Sequence, residues 1–245
     1  MAGLAKLVNR GTSFEGKTII LIQSIVLNNI TNLENWKNSP PKNTWVPIGD
    51  NANAFKGKFL GGGHAISGVF IDNSDDYQGL FGHIGASGIV SNFWLIAYVN
   101  GGVNVGSLVG LNKGDILSVF SAGVVTGESN VGGIAGYNNN KIFKSNCIGL
   151  LRGERNLGGV AGNNKGHILN SFCCCNFKAG NMHNLASSDI NKHVGLFNRK
   201  LAALLNKLRK LTDKLLVRIT LTKMATRAKA LRQTKVHKRK ALACD

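Results

Sequence analysis

The sequence predicts an all-β fold, a right-handed parallel β-helix of about five coils, followed by a basic α-helical C-terminal tail. Three observations support this prediction. A segment of 26 residues repeats without gaps, glycines recur at the same offsets in every copy, and the composition changes from Gly and Asn to Leu, Lys and Arg near residue 199. A fixed period of this length is typical of solenoids, in which each repeat is one unit stacked on the next.

The three best-preserved copies occupy residues 105–130, 131–156 and 157–182. Single apolar residues between glycines suit strands of a few residues, whereas so many glycines would make a helix costly. Each copy would therefore form one coil that pairs in parallel with its neighbours at a spacing of ~4.8 Å. Connections between parallel strands are almost always right-handed, and this rule predicts the hand of the winding.

Residues at the same offset would stack into columns along such a β-helix. The columns are Gly106/Gly132/Gly158, Gly110/Gly136/Gly162, Asn112/Asn138/Asn164 and Ile116/Ile142/Ile168. We expect the asparagines to form a hydrogen-bonded amide ladder and the isoleucines to form a dry inner column.

Looser copies at residues 79–104 and 55–71 extend the pattern toward the N-terminus. The predicted organisation is an N-terminal capping region at 1–54, β-helix repeats at 55–182, a decayed repeat or linker at 183–198, and a basic amphipathic helical tail at 199–245.

The tail carries most of the positive charge of the chain. Residues 199–245 contain 15 Lys and Arg against 2 Asp, which gives +13 of the total net charge of +18. Leucines at helical spacing, such as Leu201, Leu204, Leu205 and Leu208, predict a basic amphipathic helix over about residues 200–221. Covering an open end of the β-helix is the favoured role. The alternatives are nonspecific contact with polyanions or anionic membrane, and a C-terminus that arose by a frameshift.

Short motifs of the form Gly-Leu-apolar-Gly recur in the repeats, as GLFG at 79–82, SLVG at 107–110, GIAG at 133–136 and GVAG at 159–162. Upstream stand FEGKTI at 14–19, WVPIG at 45–49 and FKGKFLGGGH at 55–64, with Leu60 where Asp is usual. Over about residues 4–182 the chain thus resembles the GLUG-motif repeat proteins. The resemblance implies a β-helix within a bacterial surface protein, an adhesin or the non-catalytic part of a secreted peptidase.

We therefore expect a non-enzymatic, adhesin-like scaffold that is secreted or held at the bacterial cell surface and binds an extracellular glycan or protein. The chain starts without a secretory signal and has no apolar stretch of ~20 residues, so we expect a fragment whose signal lies upstream. The alternatives are a β-helix enzyme acting on polysaccharide and a polyanion or membrane binder acting through the tail. No catalytic, cofactor-binding or metal-ligating residue is predicted, and no cofactor is expected.

Carboxylates are few and do not form a convincing site. Asp72, Asp75 and Asp76 form a cluster in the sequence. We interpret it as a polar loop, with a calcium site as the less favoured alternative. Asp115 and Glu128 share one coil, but their columns continue with other residue types, so the acid pair of a glycosidase is not predicted.

The remaining candidates are cysteines, histidines and tryptophans. Cys147 and Cys173 share a column. We favour the interpretation that they are stacked small residues, and a disulfide between the two coils is the alternative. The run at 173–175 is not a metal signature, because alternate strand residues point to opposite faces. The histidines lack ligand spacing, and His167 is predicted to be solvated. Trp45 is assigned to the N-terminal cap. For Trp94 we favour a position in the core or cap over an exposed position from which the ring could stack on a sugar.

One match to a nucleotide-binding pattern gives a testable prediction. Residues 11–18 fit the P-loop pattern G-x-x-x-x-G-K-[ST], but a helical pattern precedes them and a strand pattern follows, the reverse of a working P-loop. We expect no saturable ATP binding by the full chain, and Lys17→Ala should change nothing in an equilibrium binding assay. ATP binding that disappears in the Lys17→Ala variant would contradict the prediction.

Overall fold

The computed structural model describes residues 1–179. This part of the chain contains one α-helix, α1 (Ala2–Val8), a 3-10 helix (Leu33–Asn35) and fifteen strands. The strands are β1 (Thr18–Ile20), β2 (Ile25–Val26), β3 (Lys58–Leu60), β4 (Ala65–Asp72), β5 (Phe81–Ile84), β6 (Ile89–Asn100), β7 (Val103–Gly106), β8 (Val109–Asn112), β9 (Asp115–Gly132), β10 (Ala135–Asn138), β11 (Lys141–Phe143), β12 (Asn146–Gly158), β13 (Ala161–Asn164), β14 (His167–Leu169) and β15 (Cys173–Ala179).

The strands form two parallel sheets that wind as a β-solenoid of about four turns. The short sheet has the order β13-β10-β8-β5, and the long sheet contains the other eleven strands. The all-β, parallel architecture predicted from the repeat is thus confirmed, while the direction of winding stays a prediction. The structure has about four turns rather than the predicted five, because residues 55–71 supply strands to the long sheet only and reach the short sheet through the isolated bridge Phe55–Ile84.

The register between coils reproduces the predicted columns. Ile142 of β11 pairs with Ile116 of β9 on one side and with Ile168 of β14 on the other. The amide ladder is also present: Asn112 Nδ2 donates to Asn138 Oδ1 and Asn138 Nδ2 donates to Asn164 Oδ1, both at 2.7 Å. Asn112 and Asn138 are completely buried, so these bonds satisfy polar groups that water cannot reach.

Two further columns turn the chain at its corners, and the sequence prediction did not include them. Asn104, Asn130 and Asn156 have φ of 61°, 53° and 51°, the left-handed region that Asn tolerates better than most residues. They also form a second ladder, in which Asn130 Nδ2 donates to Asn104 Oδ1 and Asn156 Nδ2 donates to Asn130 Oδ1 at 2.8 Å. The other left-handed column is Asn92, Ser118, Lys144 and Asn170.

The interior changes composition along the solenoid axis. Four phenylalanines, Phe55, Phe59, Phe81 and Phe93, fill its N-terminal part, with ring centroids 5.3 to 5.8 Å apart between contacting pairs. The following turns are lined by smaller apolar side chains such as Val131, Ile134, Ala135 and Ile142. Edge-to-face and tilted ring contacts add to the burial energy of the aromatic section.

The N-terminal region covers one end of this core. Ala5 and Val8 of α1 are buried against it, and Trp45 is buried with its Nε1 donating to the carbonyl of Leu80 at 3.1 Å. Trp45 therefore packs against the N-terminal end of the core. The apolar stretch at residues 18–27 contains two short strands, β1 and β2.

The P-loop-like segment has helix α1 before it and strand β1 after it, the order expected from the sequence. The proposed linker at 183–198 and the helical tail at 199–245 lie outside the described residues. No helix in residues 1–179 combines the length and apolar character needed to cross a membrane.

Charge placed in the inner isoleucine column should unfold the stack. In Ile142→Asp a carboxylate would be buried between two isoleucines without a partner, and we expect a loss of several kcal/mol in the free energy of unfolding. Lys141→Ala is the matched control, since Lys141 is half-exposed on the same strand. Thermal denaturation followed by circular dichroism measures both; equal melting temperatures would refute the assignment of Ile142 to the interior.

Candidate functional site

The outer face of the long sheet carries apolar and aromatic side chains. Along β6, Leu95 and Ala97 point into the core, so Trp94, Ile96 and Tyr98 point outward by the alternation of a strand. Parallel pairing places Phe120, Ala122 and Val124 of β9 beside these three residues in the next turn. The result is a face of apolar columns on the outside of the solenoid.

Part of this face is covered by the N-terminal region. Trp36 packs edge-on against Phe70 with ring centroids 5.6 Å apart, and Phe70 lies 5.5 Å from the ring of Tyr98. Leu33 and Val124 complete this second apolar cluster. The cluster holds residues 30–36 against the sheet and gives that segment a fixed position.

A groove of about 430 Å³ lies where this segment meets the sheet. Residues 30–35 form one wall, and Ile96 and Gly123 form the other. The polar groups of the wall include the Thr31 hydroxyl, which donates to Asn29 Oδ1 at 2.6 Å, and the exposed side chain of Glu34. Gly123 has φ of 142°, and a Cβ there would run into the carbonyl oxygen of Ala97, so this position of the face stays without a side chain.

An aromatic pair continues the same face beyond the groove. Trp94 is 55% exposed, and its ring centroid lies 4.8 Å from that of Phe120. The favoured assignment of Trp94 to core or cap is therefore wrong, because Phe93 and Leu95 take the inward positions of β6. Two adjoining rings beside a groove with hydroxyl, amide and carboxylate groups offer apolar and polar contacts to one ligand.

The acidic candidates Asp72 and Asp76 are held by hydrogen bonds to neighbouring asparagine and backbone groups. Asp72 Oδ1 accepts a hydrogen bond from Asn100 Nδ2 at 2.8 Å, and Asp76 Oδ1 accepts one from the backbone of Val103 at 2.7 Å. Within residues 1–179, the three aspartates at 72–76 do not form a convergent ligand group. Asp115 pairs in register with Lys141, which pairs with His167, and His167 is exposed as predicted.

The cysteines meet in an arrangement that the sequence prediction did not anticipate. Cys147 lies in the column between Ser121 and Cys173 and its thiol is free, so the favoured prediction of stacked small residues without a disulfide between coils is confirmed. Cys173 instead forms a disulfide with Cys175 on its own strand. Burial, and secondarily the neighbouring Cys174, raises the pKa of Cys147 to about 12, so this thiol is protonated at neutral pH and is a poor nucleophile.

His83 is an unusual buried group that no sequence pattern indicated. It is 7% exposed, and neither ring nitrogen has a hydrogen-bond partner among the described residues. Burial and then the positive charge of Lys113 lower the pKa of His83, while the backbone of Asp50 and, to a smaller extent, its carboxylate act in the opposite direction. The neutral imidazole is therefore the form that the folded protein accommodates.

Replacing His83 should stabilise the fold and reduce its sensitivity to acid. As pH falls below about 6.5, the unfolded chain takes up a proton that folded His83 resists, so stability decreases. His83→Leu should add about 1–3 kcal/mol at neutral pH by removing unpaired polar atoms, and the paired Leu111 shows that leucine suits this column.

Denaturant unfolding of the full chain at pH 7.5 and pH 5.5 measures both effects. The exposed His167→Gln variant is the control and should retain the pH dependence of the unsubstituted chain. An unchanged pH dependence in His83→Leu would exclude His83 as its source.

Comparisons with known proteins give two partial matches. The chain is 46% identical over 80 residues to a "Putative Gly-rich membrane protein" of Evansella cellulosilytica, and 40% identical over 78 residues to "Halomucin" of Haloquadratum walsbyi. Each match covers 31% of this chain but only 9% and 1% of the respective relative. No family model matches the chain, and no solved structure matches it.

Proposed function

We propose that the β-solenoid is a non-enzymatic, adhesin-like scaffold at the bacterial cell surface, and that it binds an extracellular glycan on the outer face of its long sheet. The observation that carries the proposal is the exposed Trp94, which lies against Phe120 and next to the groove at residues 30–35. An aromatic face can stack on the apolar face of a sugar ring, while amide, hydroxyl and carboxylate groups bond to its hydroxyls.

The rigidity of the surface supports a binding role. Trp94 and Phe120 lie on paired strands whose neighbours are buried in the core, so few side-chain rotations must be frozen when a ligand binds. Within each outward column, one side chain follows another along the solenoid axis at the strand spacing of ~4.8 Å. Such an extended row of side chains suits a polymeric ligand. The names of the two partial relatives, a membrane protein and a halomucin, fit a location at the cell surface. The resemblance to GLUG-motif proteins points the same way.

Two other functions are kept as alternatives. An enzyme that cleaves polysaccharides would require a pair of carboxylic acids. The carboxylates of Asp72, Asp76 and Asp115 instead accept hydrogen bonds from asparagine or backbone groups. Binding of polyanions or anionic membrane through residues 199–245 is favoured only by their net charge of +13. The two binding modes differ in their response to salt.

Removal of the exposed indole should weaken glycan binding. We expect Trp94→Ala to reduce the affinity of the full chain for a neutral polysaccharide about tenfold, a loss of the size found for central aromatic anchors. Ile22→Ala is the matched control, because Ile22 is 83% exposed and lies between β1 and β2, outside the strands that carry the aromatic pair. Affinity electrophoresis with a panel of neutral plant and bacterial polysaccharides compares the variants.

Two further measurements separate the alternatives. If the chain releases reducing ends from any member of the panel, and replacement of one Asp or Glu abolishes that release, the protein is an enzyme instead. Binding confined to anionic polymers, with an affinity that falls steeply with salt and is unchanged in Trp94→Ala, would assign binding to the tail. Equal binding of a neutral glycan by Trp94→Ala and the unsubstituted chain would remove the outer face as the site.

A further inference from the structure

We propose that Cys147, Cys173 and Cys175, in their reduced form, bind one thiophilic metal ion with a filled d shell, and that Cu(I) fits this site best. The three Sγ atoms lie within 4.8 Å of one another. Three sulfurs about 4 Å apart would each lie about 2.3 Å from the centre of their triangle, which is the usual length of a metal–thiolate bond. Reduction of the Cys173–Cys175 disulfide followed by rotation of the side chains would give that arrangement.

Two features of the β-solenoid create the cluster. The register between coils places Cys147 of β12 directly beside Cys173 of β15. Strand alternation places Cys175 on the same inward face as Cys173 and turns Cys174 outward. A single strand thus supplies two ligands and the adjacent coil supplies the third, so the run at 173–175 becomes a site only in the stacked structure.

The surroundings leave room for sulfur at this position. A Cβ added at Gly133 would lie 2.5 Å from Cys147 Sγ, and one added at Gly159 would lie 2.8 Å from Cys173 Cβ. The same inward column carries Leu95 and Ser121 in the preceding turns, so the change to thiols is confined to the C-terminal part of the described solenoid. Cys147 is 3% exposed, Cys175 is 9% exposed and Cys173 is partly buried, so a bound ion would be largely shielded from water.

The chemistry of three thiolates selects the ion. Soft sulfur ligands favour Cu(I) and Zn²⁺ over hard cations. Zn²⁺ is almost always four-coordinate and would need a fourth ligand, and within residues 1–179 the cluster contains only these three cysteines. Cu(I) accepts three sulfurs alone. The charge of the ion displaces the thiol protons, including that of Cys147, whose Sγ donates to the Gly159 carbonyl in the absence of an ion.

The site has two states that are related by a two-electron reduction. In the structure, Cys173 and Cys175 are joined by a disulfide, so Cys147 is the one thiol among the three proposed ligands and the other two sulfurs cannot bind an ion as thiolates. A phosphine reductant with one water converts the disulfide to two thiols and becomes the phosphine oxide. Cu(I) then replaces three thiol protons. Oxidation back to the disulfide, by an oxidant such as diamide, takes two ligands away and releases the ion.

A variant of the full chain isolates the three ligands. Cys174→Ser and Cys244→Ser together remove the other two of the five cysteines, and this double variant serves as the reference. It is reduced with a phosphine, desalted without oxygen and titrated with Cu(I) supplied as its acetonitrile complex. Bound copper is determined by elemental analysis and by the near-ultraviolet thiolate-to-copper absorption band.

We expect one copper per chain in the reduced reference variant and none after oxidation with diamide. Adding Cys147→Ser, Cys173→Ser or Cys175→Ser should abolish stoichiometric binding and the absorption band. Serine at 147 is compatible with the fold, because Ser121 occupies the same column in the previous turn, and circular dichroism checks that the β-structure is retained. Failure of the reduced reference variant to bind copper, or full binding by the Cys147→Ser variant, would overturn the proposal.

Discussion

Every turn of this β-solenoid is hydrogen-bonded to the next through its backbone, and from β9 onward the pairing keeps the same number of residues in each coil. The pairs Ile116–Ile142 and Ile142–Ile168 show a separation of 26 residues maintained across two successive steps. Because side chains alternate between the two faces of a strand, an insertion of one residue would turn the following inward column outward. The register therefore fixes the interior, the ladders and the surface together.

The two ladders explain how the register is protected at the corners. A corner cannot continue a strand, and its polar groups would be costly if buried without partners. Asn138 bonds to the same residue type above and below it, and Asn130 does so while adopting a left-handed backbone. Asn130 thus both tolerates the backbone bend and hydrogen-bonds its polar side chain. A shifted pairing would place another residue type in the left-handed conformation and would also break the ladder hydrogen bonds.

The sequence allowed the repeated columns to be predicted, because a column needs only the period. The outward position of Trp94 could not be predicted in the same way. In that coil the sequence separation between paired residues changes from 28 for Phe81–Val109 to 26 for Trp94–Phe120. Whether a given side chain points inward or outward therefore depends on where in the coil the two additional residues lie. The burial of His83 depends on the loops of the N-terminal region, which no period describes. For the thiols, the sequence contained both the shared column and the alternation, and the site emerges only when the two are combined.

The amide ladders have a consequence for the electrostatics of the molecule. In the ladder through Asn138, each amide donates toward the following coil, whereas in the ladder through Asn130 each amide donates toward the preceding one. The side-chain dipoles within a ladder add along the axis, but the two ladders point in opposite directions and oppose each other. Lengthening the solenoid by further repeats would therefore add little net axial dipole from these side chains, unlike an α-helix, whose aligned peptides leave opposite partial charges at its two ends.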